Sequence, residues 1–155
     1  MKEADKKSEL DIRHARTGAQ AQQMLDIAAQ GICPFCQEHL KATHREPIER
    51  EGQWWSVLKN DYPYEGSRVH YLFVFKEHVE DIDHVTPEGF AELLSHMQWV
   101  RDTHNLKGGT LLMRFGNTGH TGATIPHLHA HLIVGGDAEG STEKLRATVG
   151  YQMPK

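Results

Sequence analysis

The run His127-Leu128-His129-Ala130-His131-Leu132-Ile133 constrains this 155-residue chain more than any other stretch. In a β-strand, successive side chains point to opposite faces. Read as a strand, the run puts three imidazoles on one face and Leu128, Ala130 and Leu132 on the other. The apolar side demands a core. The imidazole side demands partners, because each neutral ring carries one donor and one acceptor that are costly to leave dry. The pattern predicts a strand over Leu128–Val134, ended by Gly135-Gly136. Ahead of it runs Arg114-Phe115-Gly116-Asn117-Thr118-Gly119-His120-Thr121-Gly122-Ala123-Thr124. Glycines there let a backbone approach an anion closely, while Asn and Thr supply side-chain hydrogen bonds. Such a loop leading into aligned histidines reads as a phosphate site, since histidine can be nucleophile, acid–base group or metal ligand near neutral pH.

The rest of the chain supplies a scaffold. Residues 1–30 read as a polar extension, helical from about Glu9 to Gln30 and stopped by Gly31. Charged His39 to Gly52, with Pro47, reads as loop. Gln53–Lys59 and Val69–Phe75 have the aromatic and β-branched content of strands, joined by a turn-rich Asn60–Ser67. Thr86-Pro87-Glu88 is a helix start, with Thr as cap and Pro at the first position. Apolar spacing of three and four then carries a helix through Phe90, Leu93, Leu94, Met97 and Val100 to about Asn105. Thr110–Phe115 is a further strand, Gly116–Pro126 a loop, and Thr142–Gln152 an edge strand or a surface crossing. The fold class is α+β: an antiparallel sheet of about five strands with one main helix packed on it, plus the N-terminal helical extension. The division expected is 1–30 extension, 31–136 catalytic domain and 137–155 tail.

A net charge of −4 argues against gripping nucleic acid through its backbone, yet allows one nucleotide held by N–H groups and neutral side chains. No apolar run approaches the ~20 residues of a membrane span, and the charged start Met1–Lys7 reads as no signal peptide. A cytoplasmic protein is expected, in which Cys33 and Cys36 are a metal or redox pair rather than a structural disulfide. Cys33-Pro34-Phe35-Cys36 admits three readings: a redox motif similar to that of glutaredoxins, half of a tetrahedral zinc site, or two plain thiols. The redox reading is weakened because the Thr-x-Pro partner it calls for exists only as Thr124-Ile125-Pro126, far along the chain. The zinc reading needs two more ligands, for which His39 and His44 are local competitors.

Asn117 through Thr124 to Ile133 resembles the signature of the histidine triad (HIT) family of nucleotide hydrolases and transferases, in which three histidines alternate with apolar residues. The resemblance covers roughly residues 31–136. It implies that His129 is the nucleophile forming a nucleotidyl-histidine, that His131 contacts the phosphate and aids departure of the leaving group, and that His127 completes the triad. It further implies phosphate contacts from Asn117 and Thr124, with Gly122 as a backbone donor, ribose contacts from Asn60, and Leu58 lining the base pocket. Phe75-Lys76-Glu77-His78 resembles the family's segment that adds a zinc ligand, with Phe in place of Pro; a structural zinc would then take Cys33, Cys36, His78 and His127. With four protein ligands such a zinc has no open position for chemistry. The resemblance also implies a homodimer and a purine nucleotide or nucleotide conjugate as ligand. Three activities remain open. One is a nucleotide phosphoramidase or hydrolase. Another is a nucleotidyltransferase or dinucleoside polyphosphate phosphorylase, favoured by Asn60-Asp61-Tyr62-Pro63-Tyr64 and, for the uridylyltransferase branch, opposed by His131. The last is a non-catalytic nucleotide-binding module. Trp54, Trp55 and Trp99 read as core or dimer contacts, and His14, His70, His84, His96, His104 and His120 as solvated.

Overall fold

In the computed structural model, which describes Leu10 and residues 18–155, the chain folds as one five-stranded sheet with helices on both faces. The elements are α1 (Gly18–Gln30), α2 (Gln37–Thr43), β1 (Ile48–Glu51), β2 (Trp55–Lys59), β3 (Val69–Phe75), α3 (Pro87–Thr103), β4 (Thr110–Arg114), α4 (Thr118–Thr121) and β5 (His129–Val134). Strand order is β1-β2-β3-β5-β4, and all four pairings are antiparallel. This is the expected α+β architecture. The portion of the expected N-terminal helix before Gly18, and His14, lie outside the described residues. Among the described residues no helix is long and apolar enough to cross a membrane.

The alternation of β5 sorts the molecule into two cores. Leu128, Ala130, Leu132 and Val134 face α3 and pack with Trp55, Val57, Tyr71, Phe73, Phe75, Leu93 and Val100. On the opposite face, Leu58, Leu72 and Val74 pack against Met24 and Ile27 of α1, with Phe35 and Leu40 between. His129 and His131 lie on that second face, since they are the register partners of Val74 and Leu72. Helix α3 begins as expected: the Thr86 hydroxyl accepts the Gly89 N–H at 3.1 Å, and Pro87 occupies the first turn. It ends at Thr103, where Asn105 adopts a positive φ of 49° and the Leu106 N–H turns back to the Arg101 carbonyl.

Two expectations need correction, and the choice left open for Thr142–Gln152 is settled. His39–Gly52 is not loop: it finishes α2 and contains β1. The charged residues masked an amphipathic turn whose Leu40 is buried, and a strand whose Ile48 and Arg50 turn inward while Glu49 and Glu51 face out. Gly116–Pro126 contains the short helix α4, capped by Asn117. Thr142–Gln152 forms no strand and crosses the surface, with Leu145 near Gly135 and Gly150 against the His120 carbonyl.

Candidate functional site

Residues 33–36 are held against the start of β5 by two thiols and two rings. Cys33 Sγ lies 3.4 Å from His127 Nδ1, Cys36 Sγ lies 3.1 Å from His78 Nδ1 and 3.8 Å from His127 Nδ1, and the two Nδ1 atoms are 3.2 Å apart. Bonds of about 2.1 Å to nitrogen and 2.3 Å to sulfur give tetrahedral edges of about 3.3–3.8 Å, so the spacing fits zinc. His127 Nε2 donates to the Phe75 carbonyl at 2.6 Å, which leaves the Nδ1 lone pair for a metal. All four ligand atoms lie within 4.8 Å of one another and could hold a metal ion. Burial raises the pKa of both thiols, that of Cys36 to about 12 with Cys33 adding to the rise. A redox thiol needs the opposite shift, so this environment opposes the glutaredoxin-like reading and requires a cation to make the ligands ionise. His39 and His44, the local competitors, are outside the cluster.

His127 therefore sits just before β5 and serves the cluster, while His129 and His131 line a cavity on the α1 face. The His129 Nδ1–H donates to the His127 carbonyl at 2.7 Å. That bond fixes the tautomer and leaves the Nε2 lone pair as the reactive atom. Burial lowers the His129 pKa to about 4, overriding the stabilising carbonyl, and the nearby charges of His127 and Arg114 add to the fall. The ring is thus neutral at physiological pH, as a nucleophile must be. Phe35 packs edge-on against it, with centroids 4.8 Å apart, so the cysteine segment also supplies a wall of the nucleophile's pocket.

His131 is oriented by a residue the sequence reading misplaced. His70 is buried rather than solvated: its Nδ1 accepts the Tyr64 N–H at 3.1 Å, and its Nε2 lies 2.9 Å from His131 Nδ1. With Nδ1 accepting, the His70 proton is on Nε2 and is donated to His131, which places the His131 proton on its own Nε2. The two remaining errors of this kind are His96, buried beside Glu92, and His104, half-buried with Nε2 2.8 Å from the Tyr71 hydroxyl. His84 and His120 are exposed as expected. A legible signal for His70 existed: it shares a strand face with Leu72 and Val74, the face that carries His129.

The other expected site residues are divided. Thr124, Gly122 and Asn60 line the cavity. The Gly122 N–H is bonded to the Thr118 carbonyl at 2.9 Å, and its φ of 73° explains the glycine. Asn60 Oδ1 accepts the Tyr62 N–H at 2.9 Å. Asn117 is exposed, caps α4 by accepting the Gly119 N–H at 2.7 Å, and is not among the lining residues. Leu58 is fully buried in the core below rather than at the cavity surface. Residues not foreseen also line it: Gln20, Gln23 and Met24 from α1, His44, Tyr64 and Arg114.

A buried triad on an antiparallel sheet, with a glycine-rich turn beside its middle ring, defines a histidine-triad protein. The chain belongs to the HIT family, whose domain matches residues 56–138. Similar solved structures include a HIT family hydrolase from Clostridium thermocellum, 26% identical over 71% of this chain and 95% of that one, with a TM-score of 0.51. A HIT family hydrolase from Legionella pneumophila is 23% identical over 68% and 93%, with a TM-score of 0.53. A zinc-bound histidine triad family protein from Mycobacterium smegmatis is 20% identical over 77% and 84%, again with a TM-score of 0.53. The last two support the fold. Comparison with curated protein sequences finds no match.

Proposed function

We propose that the chain is a nucleotide hydrolase of phosphoramidase type, acting at the α-phosphate of a purine nucleotide conjugate. The observation that carries this is the 2.7 Å bond from His129 Nδ1 to the His127 carbonyl, which presents a neutral ring's Nε2 to the cavity. Nε2 attacks the α-phosphorus, the bond to the leaving group breaks with its electron pair, and an amine leaving group takes a proton from solvent. The His131 Nε2–H donates a hydrogen bond to the developing phosphoryl charge without giving up its proton, since His70 already supplies its Nδ1 partner. Water then attacks phosphorus, the Nε2–P bond breaks, the lone pair returns to His129 and a proton is released to solvent. Thr124 offers its hydroxyl to the same phosphate, Asn60 is assigned to the ribose, and Asn117 and Gly122 to the phosphate loop.

Zinc is the metal we assign to Cys33, Cys36, His78 and His127. It supplies no open site and acts as a clamp that sets the start of the catalytic strand. Residues 31–136 form the catalytic unit in this reading, although α1 and Thr148 also reach the cavity. Two cysteines that form no disulfide suit the reducing cytoplasm. The test is turnover of an adenosine 5′-phosphoramidate by the wild type and by His129→Ala. The expected outcome is a loss of roughly 10⁴-fold or more in the variant, the scale of removing a covalent nucleophile. A variant that retains most of the rate overturns the covalent route.

A further inference from the structure

Gln20, Gln23 and Met24 project from α1 at spacings of three and four, and all three line the cavity. The Gln23 Nε2–H donates to the Thr43 carbonyl at 2.7 Å. A carbonyl can only accept, so this bond fixes which end of the amide is nitrogen and leaves Oε1 for another donor. Oε1 is buried and has no hydrogen-bond partner among the described residues. An acceptor shut away from water without a donor is costly, and a ligand N–H relieves it.

A second acceptor lies on the residue after Thr43. His44 also lines the cavity, and its Nδ1 is 3.2 Å from the Thr43 hydroxyl oxygen. That hydroxyl has a single proton and faces the carbonyls of Pro34, His39 and Leu40 at 2.7, 3.1 and 3.4 Å. The proton goes to a carbonyl, so the oxygen presents a lone pair to the ring and Nδ1 must donate. Burial lowers the His44 pKa, although Asp61 pulls it the other way, so the ring is neutral at physiological pH and carries one proton. With that proton on Nδ1, Nε2 is an acceptor.

The surroundings indicate what brings the N–H groups. Phe35 packs on the His44 ring with centroids 5.1 Å apart, and Met24 and Tyr62 line the same cavity. Apolar and aromatic surfaces of this kind accommodate a flat ring. Asp61 accepts the N–H groups of Arg45 and Glu46, which ties the residues after His44 to the turn carrying Asn60, the residue assigned to the ribose. Thr124, assigned to the phosphate, comes instead from the loop before β5. A nucleotide with its phosphate over His129 and its ribose at Asn60 therefore has its base toward Gln23 and His44.

We propose that Gln23 and His44 read the base by accepting from an exocyclic amino group, so that the chain selects amino purines over hypoxanthine. This rests on the reading that the cavity holds a purine nucleotide, and it adds the selection of the base. Hypoxanthine is adenine with oxygen in place of the 6-amino group, and guanine without the 2-amino group. An amino group offers two N–H donors to two acceptors, whereas a ring oxygen substituent sets a further lone pair against them.

The experiment is a binding comparison that needs no turnover. Calorimetry gives the affinities of AMP, GMP and IMP for the full chain and for Gln23→Met and His44→Phe. Met keeps the length of Gln and Phe keeps a ring against Phe35, while each variant removes one acceptor. Wild type is expected to bind AMP or GMP about tenfold or more tighter than IMP. The tighter of the two identifies the amino group read, at position 6 for AMP and at position 2 for GMP. Each variant is expected to shrink that advantage by about threefold or more. A change that only loosens the pocket weakens all three nucleotides alike, so an unchanged ratio in a folded variant overturns the assignment of its residue. The wild-type comparison stands even if a variant fails to fold. IMP bound as tightly as AMP and GMP overturns the proposal and leaves the nucleotide reading in place, whereas no binding of any of the three overturns both.

Discussion

Glu92, on α3, accepts the backbone N–H groups of Gln53, Trp54 and Trp55 at 2.8, 3.0 and 2.9 Å, at the point where β2 begins. Burial by itself raises its pKa, yet the three N–H bonds outweigh burial and hold it below the ordinary 4.5. Hydrogen bonds to a charged group contribute about 1.5–3 kcal/mol each and are not additive, so Glu92→Gln is expected to cost about 2–3 kcal/mol at neutral pH. A depressed folded pKa means that the unfolded chain takes up the proton first. The stabilisation is therefore present above about pH 4.5, the unfolded value, and is lost as pH falls through the lower folded one. Urea unfolding of wild type and variant at pH 7 and at successive values below 4.5 checks this: the gap should narrow on acidification, and a gap that stays constant removes the carboxylate charge as its cause. Nothing near Glu92 in the sequence announces this role, because its partners lie nearly forty residues away. The partner of His70 is distant in the same way, His131 across a strand pairing, although its place on the Leu72 and Val74 face was readable from alternation. His129 was legible because alternation and the preceding loop are local, and because a resemblance carried its role.

The cysteine segment, β3 and β5 meet in a single knot. Cys33 and Cys36 come from the turn before α2, His78 from just beyond β3 and His127 from just before β5. Phe35, between the two thiols, is buried against His129. Metal removal therefore has two expected consequences, a lower melting temperature and a displaced wall beside the nucleophile. Structural zinc contributes folding free energy directly, and one kcal/mol moves the melting point of a chain this size by about 2–4 °C, so a fall of about 10 °C or more is expected on chelation. Calorimetry and activity before chelation, after it and after adding back one equivalent of zinc test the clamp. Unchanged melting after verified metal loss overturns it. The Cys-x2-Cys spacing made half of this cluster readable, while the other half came through the resemblance at His78 and His127. By contrast α2 and β1 were hidden, since α2 is a seven-residue helix and β1 is a four-residue strand defined by its pairing with β2 rather than by its own pattern.

At the scale of the molecule, the β4 edge and the helix face beside it leave apolar side chains uncovered. β4 is a sheet edge, and its free side exposes ladder groups that a neighbouring strand can satisfy. Leu94 of α3 and Phe115, just after β4, are about half exposed, at 52 and 49%. Leu94, Met97, Leu106, Leu111 and Leu132 border a groove between α3 and β4. A twofold interface uses the same patch on both subunits, so a second copy related in that way would cover the edge strand and the helix face together. The homodimer implied by the family resemblance is thus the occupant we assign to this face. Sedimentation is expected to give twice the chain mass for wild type and a shift to monomer for Leu94→Glu, which puts a charge from each copy on this face. A wild-type monomer, or a Leu94→Glu dimer of unchanged affinity, overturns the assignment. Because β4 ends at Arg114, two residues that define the site, Arg114 and its register partner His129, lie on strands next to this edge. Loss of the dimer should consequently weaken nucleotide binding in Leu94→Glu even though Leu94 itself lies outside the cavity.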